Sequence, residues 1–276
     1  MPKDKRPKFS ICSPITFDRE NADELRMPRY KMFKRCAKSL ESQSFTDFEW
    51  VVADDLCNPP VKELSKKLAY PPDKIIRLPE KSGRIIARNA AMKAARGEWL
   101  GWLDGDDEYA SYYLEALNDA IRLNPKHKIF NFNHLIISYD YKVHVRKFIN
   151  MDVQGKLPFP SGTVGAGSFV FHRSVYEKIG PLPEKGLWDL ANWAFKKYPK
   201  VKPFYLKNDG SGNYNSLGNP WGEDWLYFYM MTRKFKSNYL DFAPYYVHSR
   251  WGHRWPDDPE YVVDPGKKPE HNPNNI

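Results

Sequence analysis

The sequence predicts an α/β fold, an α/β/α sandwich in which helices cover both faces of a mixed, mostly parallel central sheet. Short apolar runs alternate with longer segments of helical periodicity in the first part of the chain, which is typical of parallel βαβ units. Two of these runs end in acidic residues, at the sheet edge where open α/β folds bind their ligands. With 276 residues, 41% of them hydrophobic, the chain can bury a large core.

Each predicted element follows from its local pattern. The first strands are apolar runs at 9–14, 48–53, 74–78 and 99–103. A helix is predicted at 29–43 from apolar residues at three- and four-residue spacing. Further helices are predicted at 61–68, 83–95 and 110–123, and Ser82 is placed to cap the third of the four. In the second half we predict strands at 129–138, 142–148 and 238–246, a strand after the glycines of 165–167, a helix at 187–197, a polar loop at 200–220 and a helix from residue 222.

Composition and charge narrow the class of protein. The 43 basic and 34 acidic residues give a net charge of +9 and a pI near 9.2, which favours anionic partners such as nucleotides, nucleic acid or a membrane surface. Three widely spaced cysteines suggest neither a disulfide framework nor a zinc site, and they favour a reducing compartment. No segment is long and apolar enough to cross a bilayer, so we expect a soluble, cytoplasmic protein.

An acidic cluster follows the apolar run at 99–103. Asp104, Asp106 and Asp107 come where the predicted strand leaves the sheet. Carboxylate oxygens at such an edge suit Mg²⁺ or Mn²⁺, and those ions in turn suit a diphosphate. The alternative is a polar Asp-Gly turn whose acids cap the next helix.

Two arginines lie in the first turns of the helix predicted at 83–95. Arg84 and Arg88 share one face with Ala91 and Ala95, close to a helix N-terminus that attracts anions. A phosphate could therefore bind there. The alternative, two solvated arginines on an amphipathic helix, fits the spacing equally well.

Four segments together resemble the ordered signature blocks of a known family. They read QSFTDFEWVVADD, RIIARNAAMKAARGEWLGWLDGDDEY, GAGSFVFHRSVYEKIG and GEDWLYFYMMTRKF, and the similarity covers roughly residues 9–246. The chain resembles family-2 glycosyltransferases with the GT-A fold. That resemblance implies a nucleotide-diphospho-sugar donor, usually a UDP-sugar, a divalent cation (Mn²⁺ or Mg²⁺), and inversion at the anomeric carbon.

The resemblance also implies roles on the donor side. Asp55 matches the acid that binds the nucleotide base, whereas we expect Asp54 to cap the next turn. Asp104 matches the first acid of the Asp-x-Asp motif, near the ribose, and Asp106 matches the acid that holds the metal. The donor-binding residues implied are Pro14, Thr16, Asp55, Arg84, Arg88 and Asp104, although ICSPITFDRE is one residue longer than the usual strand and loop.

On the acceptor side the resemblance makes Asp224 the base that removes the proton from the acceptor hydroxyl. Helical spacing places Asp224 on one face with Tyr227, Phe228 and Met231, so we expect it to face an apolar wall while Glu223 faces outward. The alternative is that both acids only favour the helix N-terminus. His248 follows the last core strand, where some family members have a metal ligand, and the acceptor or sugar contacts we expect are Gly167, Glu223 and Trp251.

We expect one GT-A domain over residues 1–250, with a nucleotide-binding half at 8–107, an acceptor-binding half at 108–250, and a tail at 251–276. The acceptor would be a glycan or a hydroxylated base in DNA. The net charge and a group of lysines motivate the second option, together with arginines and tryptophans near the C-terminus; the lysines are Lys196, Lys197, Lys200, Lys202 and Lys207. A non-catalytic nucleotide-sugar or nucleic-acid binding module and a nucleotidyltransferase are the alternative classes.

Overall fold

The computed structural model describes residues 6–17, 29–137, 143–146, 165–182 and 223–248. The predicted helix at 187–197, the loop at 200–220, the five lysines, Trp251 and the tail lie outside these residues.

The described elements alternate between strands and helices in the first half of the chain. The strands are β1 (Phe9–Ile15), β2 (Phe48–Asp54), β3 (Lys74–Arg77), β4 (Trp99–Trp102), β5 (Glu108–Tyr109), β6 (Ile129–Ile137), β7 (Val143–Arg146), β8 (Phe169–His172) and β9 (Ser237–His248). The helices are α1 (Arg29–Glu41), α2 (Val61–Ser65), α3 (Arg84–Ala94), α4 (Tyr113–Leu123), α5 (Arg173–Ile179) and α6 (Glu223–Thr232).

All described strands belong to one mixed sheet, in the order β3-β2-β1-β4-β8-β6-β9-β5, with β7 paired to β6. Strands β3, β2, β1 and β4 are parallel, as expected for successive βαβ units. Strand β8 runs antiparallel between β4 and β6, and β9 lies parallel to β6. The predicted mixed α/β sheet is therefore confirmed.

The sheet has a hydrophobic core on each face, because side chains alternate along its strands. On β2, Val51 and Ala53 face α3, α5 and α6, whereas Trp50 and Val52 face α1, α2 and α4. Every residue of β2 is buried, as its apolar run predicts, whereas the edge strand β3 has an exposed residue at each end, Lys74 and Arg77. Helices on both faces make the α/β/α sandwich that the sequence predicts.

Trp102 is the core side chain that connects the sheet to the helices around the loop at 104–107, which carries the clustered aspartates and is called the acidic loop below. Its indole stacks on Tyr227 of α6, with ring centroids 5.2 Å apart, and its Nε1 donates to the sulfur of Met92 in α3. Phe169 of β8 packs edge-on against the same indole. One buried ring, two residues before Asp104, therefore fixes the positions of α3 and α6 relative to the end of β4.

Candidate active site

The candidate site lies at the sheet edge where several strands end and two helices begin. Parallel β1, β2 and β4 leave the sheet at the same edge, since Cys12 pairs with Trp102 and Ile15 pairs with Asp54. The helices α3 and α6 begin close to this edge, and the ion pairs described below join their first residues. The fold thus brings together the acids and arginines that the sequence placed at strand ends and helix starts.

The acidic cluster is formed by Asp104, Asp106 and Asp107, whose carboxylates offer oxygen atoms all within 4.8 Å of one another. Asp106 and Asp107 are buried and Asp104 is partly exposed. Burial raises the pKa of Asp107 well above its usual range, and the charges of Asp106 and Asp104 raise it further. A divalent cation would neutralise this concentration of negative charge, and carboxylate oxygens are the ligands that Mg²⁺ and Mn²⁺ prefer. The cluster therefore fits such an ion.

Asp107 supports the loop that carries the cluster. The Tyr245 hydroxyl donates to its Oδ2, and the backbone N–H of His248 donates to its Oδ1 at 3.1 Å. Both partners come from β9, far along the chain. Asp107 therefore ties the acidic loop to β9, and the role of Asp106 as the metal ligand stays a prediction.

Glu108 holds the other end of the same loop. Its Oε1 lies 2.7 Å from Nε of Arg35 in α1 and 2.6 Å from Nε2 of His248. Arg35 also donates to the main-chain oxygen of Asp106 at 3.4 Å. Burial lowers the pKa of His248, although the bond to Glu108 opposes that effect. The His248 ring thus contacts Glu108, which is not one of the three clustered aspartates. The role of His248 as a metal ligand stays a prediction.

The two acids that end β2 have different partners. Asp54 accepts from the backbone N–H groups of Cys57 and Val61, at 2.7 and 3.0 Å, and pairs with Arg77, so the capping role predicted for it is confirmed. Asp55 accepts from the N–H groups of Ser82 and Gly83, at 2.7 and 3.0 Å.

The N-terminus of α3 differs from the prediction. Ser82 does not cap the helix, since the N-cap residue is Gly83 and the Ser82 hydroxyl donates to the carbonyl of Glu80. Gly83 has a φ of 83°, a conformation that glycine adopts at low cost, and this turns the chain into the helix. The Asp55 carboxylate binds the amides that lead into α3.

Pro14 and Thr16 lie beside Asp55 at the end of β1. Pro14 pairs with Ala53 across the sheet, and the Thr16 hydroxyl is 3.5 Å from the main-chain oxygen of Asp55. The backbone N–H of Asp55 donates to Ile15. The structure therefore brings these three predicted donor-binding residues together.

Arg84 and Arg88 meet Glu223, the first residue of α6. Arg88 Nη2 donates to Asp104 Oδ1 at 2.6 Å, and Arg88 Nη1 lies 3.4 Å from Glu223 Oε1. Arg84 Nε is 3.0 Å from the same Glu223 oxygen. The expectation that Glu223 faces outward is wrong, because its side chain is buried between the two arginines.

Arg88 carries its charge in a buried position. Burial alone would lower the pKa of Arg88, but the carboxylates of Asp104, Glu223 and Asp224 raise it above its usual value. The guanidinium also lies over the Trp102 ring, 4.4 Å from its centroid, in a cation–π contact. The permanently charged guanidinium of Arg88 thus lies between the acidic loop and the N-terminus of α6.

Asp224 is half-buried in the first turn of α6, next to Glu223. Tyr227, Phe228 and Met231 are all buried, as the helical spacing predicts for that face. The charge of Asp224, like those of Asp104 and Glu223, raises the pKa of Arg88. Its role as a base stays a prediction.

Gly167 packs against Tyr245. A Cβ atom at this position would lie 2.4 to 2.6 Å from three ring atoms of Tyr245, closer than real Cβ contacts. The absence of a side chain at 167 therefore admits the buried tyrosine that holds Asp107. Its predicted contact with a sugar stays a prediction, and Trp251 lies outside the described residues.

Sequence reasoning missed the side chains that support the acidic loop, namely Arg35, Glu108 and Tyr245. Tyr245 reads locally as one aromatic residue among several in a strand, and Arg35 as one basic residue on an amphipathic helix. Of the three, only Glu108 could have been suspected from the sequence, because it directly follows Asp107.

Solved structures identify the class of fold. A fragment of S. aureus TarS (residues 1–349) in complex with UDP has a TM-score of 0.57 at 18% identity, over 88% of this chain and 60% of that one. The mannosyltransferase PcManGT from Pyrobaculum calidifontis, in complex with GDP-Man and Mn²⁺, has a TM-score of 0.50 at 11% identity, over 90% of this chain and 58% of that one. The fold is that of the GT-A glycosyltransferases.

The sequence then identifies the family. Residues 27–180, more than half of the chain, match glycosyl transferase family 2, and the protein belongs to that family. A teichoic acid poly(glycerol phosphate) polymerase from Staphylococcus epidermidis is 35% identical over 92 residues, which cover 31% of this chain and 13% of the relative. A GalNAc(5)-diNAcBac-PP-undecaprenol beta-1,3-glucosyltransferase from Campylobacter jejuni is 30% identical over 114 residues, which cover 40% of this chain and 33% of the relative. The matched segments thus span a third or less of these two relatives.

A helix that spans a membrane has to be both long and apolar. Within the described ranges, no helix has both the length and the hydropathy needed to cross a bilayer.

Proposed function

We propose that the protein is an inverting, metal-dependent glycosyltransferase that moves a sugar from a UDP-sugar to an acceptor hydroxyl. Membership of glycosyl transferase family 2 supports the transferase activity. The similar TarS fragment binds UDP and, in a second structure with a TM-score of 0.54, UDP-GlcNAc, which supports a uridine nucleotide as donor. The cluster of Asp104, Asp106 and Asp107 supports metal dependence.

One observation carries the proposal. Arg88 contacts both Asp104, at the end of β4, and Glu223, which precedes the proposed base Asp224. A donor held at the acidic loop would therefore lie beside the helix that carries the base. Inverting transfer requires the acceptor hydroxyl and the leaving diphosphate to lie on opposite sides of the anomeric carbon, so the base must lie close to the bound donor. A nucleotide-binding module without activity has no need of that arrangement.

In the proposed mechanism Asp55 binds the nucleotide base, Asp104 binds near the ribose, and Arg84 lies beside the diphosphate. Asp106 would hold Mn²⁺ or Mg²⁺, which when bound supplies positive charge that stabilises the leaving diphosphate. Asp224 takes the proton from the acceptor hydroxyl as that oxygen attacks the anomeric carbon. The new bond forms on the face opposite the departing diphosphate, so a single displacement inverts the configuration.

We propose a glycan as the acceptor. One bacterial relative is a teichoic acid poly(glycerol phosphate) polymerase, and the other is a glucosyltransferase whose name specifies an undecaprenol-linked saccharide. These names favour a glycan as the class of acceptor. Transfer to a hydroxylated base in DNA stays a prediction, since the lysines and C-terminal aromatic residues that motivate it lie outside the described ranges. A cytoplasmic location also stays a prediction, supported by three free, buried cysteines.

We propose that residues 1–250 form one domain. Both halves of the chain contribute to the same two cores, and one of these contains both Phe9 and Tyr245. The division at residue 107 into a nucleotide-binding half and an acceptor-binding half follows the position of the acidic cluster.

Donor hydrolysis tests the proposed function. Purified protein with Mn²⁺ and a panel of UDP-, GDP- and TDP-sugars should release free UDP from one UDP-sugar. We predict that Asp224→Asn lowers this release by at least about a hundredfold while UDP affinity stays near that of the wild type. Asp119→Asn is the matched control, because Asp119 lies on the exposed face of α4, away from the site, with its side chain 55% exposed.

The same assay separates the alternatives. Unchanged release by Asp224→Asn would contradict the assignment of the base. UDP binding without release from any donor, repeated with a panel of oligosaccharide acceptors, would favour a binding module. A nucleotidyltransferase would instead form nucleotide-sugar and pyrophosphate from a nucleoside triphosphate and a sugar phosphate.

A further inference from the structure

We infer that Arg88 is a positioning residue that acts through Glu223. It connects the acidic loop to the N-terminus of α6 and thereby fixes Asp224 relative to the donor. This inference rests on the proposed function and departs from the donor-binding role that the sequence pattern suggested for Arg88.

The position of Arg88 argues against direct contact with a phosphate. Its side chain is 1% exposed, its guanidinium lies over the Trp102 ring, and its Nη2 forms an ion pair with Oδ1 of Asp104. Arg84, one turn earlier on the same helix, has a side chain that is 35% exposed. Of the two arginines, Arg84 is the one that an incoming diphosphate can reach without disturbing the core.

The partners of Arg88 come from two separate parts of the chain. Asp104 follows β4, whereas Glu223 begins α6, more than a hundred residues later. Arg88 can contact both because a guanidinium carries donors on a rigid planar fork, which a lysine ammonium lacks. Its two terminal nitrogens therefore set the separation between Asp104 and Glu223.

Glu223 transmits that constraint to the base. The Glu223 side chain is buried and forms ion pairs with both Arg84 and Arg88. Glu223 precedes Asp224 in the first turn of α6. Helix first turns lack the full set of internal hydrogen bonds, so side-chain contacts determine how well such a turn is held. Removing the charge of Glu223 should therefore loosen the turn that carries Asp224, while the three clustered aspartates keep their own positions.

The test compares Glu223→Gln, Arg88→Lys and the double variant in steady-state kinetics and in UDP calorimetry with Mn²⁺. Glu223→Gln keeps the shape of the side chain and removes its charge. We expect kcat to fall about a hundredfold in each single variant, as misplacement of a catalytic group by about 1 Å can cause. The donor KM and the UDP Kd should change by less than about threefold in Glu223→Gln, because the loss is confined to the transition state.

The double variant tests whether the two residues act as a unit. If they do, it should be about as slow as the slower single variant, since the effects of residues that act together are not additive. Arg122→Gln is the control, because Arg122 lies on α4 with its side chain 68% exposed. Normal UDP affinity of Glu223→Gln also serves as evidence that the variant is folded.

Two results would overturn the inference alone. One is wild-type kcat in Glu223→Gln; the other is a loss of UDP affinity of tenfold or more in Arg88→Lys with kcat preserved, which would make Arg88 a direct ligand of the donor. Absence of turnover by the wild-type protein with every donor and acceptor would instead overturn the proposed function, and this inference with it.

Discussion

Substitution of Gly167 by alanine gives the strictest test of how the site is supported. The new Cβ would lie 2.4 to 2.6 Å from atoms Cε2, Cζ and Cδ2 of the Tyr245 ring. Tyr245 is 1% exposed and cannot move toward solvent without repacking its neighbours. Its hydroxyl donates to Asp107, so a displaced ring would also release the acidic loop.

The magnitude follows from two contributions. Forcing an extra methyl group into a packed core costs about 1–3 kcal/mol. Leaving the buried carboxyl group of Asp107 without this hydrogen bond costs about 1–3 kcal/mol when the ring has to turn away. We therefore expect the free energy of unfolding to fall by about 2–6 kcal/mol, which corresponds to a decrease in Tm of about 4–20 °C for a chain of this size.

The assay is thermal and urea unfolding of Gly167→Ala beside a matched glycine. Gly101, in β4, is the control, because a Cβ there would meet its nearest neighbours at 3.5 to 3.8 Å, which is ordinary contact. We expect Gly101→Ala to leave Tm unchanged or to raise it by about 2 °C. In a Tyr245→Phe background the penalty at residue 167 should shrink by the part that comes from the hydrogen bond.

The reasoning is refuted if Gly167→Ala melts within about 2 °C of the wild type, a shift that corresponds to less than about 1 kcal/mol. It is also refuted if Gly101→Ala is destabilised equally, because general sensitivity of the sheet to larger residues would then explain both results.

Two further predictions concern individual acids. Asp54→Ala leaves the buried amides of Cys57 and Val61 without their acceptor, at about 1–3 kcal/mol for each amide, so urea unfolding should show a loss of about 2–6 kcal/mol. Glu63→Ala is the control, because Glu63 is exposed, and equal stability of the two variants would contradict the capping role. Asp106→Ala should weaken UDP binding at least about tenfold in the presence of Mn²⁺ and leave Mn²⁺-free binding unchanged. Calorimetry that finds normal Mn²⁺-dependent UDP affinity in this variant would remove Asp106 from the metal site, and Asp119→Asn controls for a general effect of lost negative charge.

Local patterns were sufficient to predict most of the first half of the fold. Strand β2 is a fully buried apolar run that ends in acid, and such a run can be recognised without knowing its neighbours. Two elements were too short for the same reasoning: β5 has two residues and α5 has seven. Strand β5 forms only because β9 supplies its partners, through the pairs of Glu108 with Tyr246 and Tyr109 with Tyr245.

The errors at the site have a common physical cause, which is pairing between distant parts of the chain. Glu223 was expected to face water because it is charged and adjoins the apolar face of α6. Burial became possible because Arg84 and Arg88 compensate its charge, and no pattern near residue 223 indicates their presence. Likewise, the amides before α3 are bound by Asp55 of β2, although Ser82 is the residue that local capping rules favour.

The position of β9 determines how much of the chain a shortened protein would need. The family match ends at residue 180, yet Tyr245 and the backbone of His248 hold the acidic loop from the far end of the described chain. A fragment cut to the matched residues would also lack β1, which lies between β2 and β4 within the sheet. Such a fragment would keep all three clustered aspartates and lose the two strands that hold them in place. Recombinant versions, domain swaps between relatives and deletion series should therefore extend at least from residue 6 to residue 248.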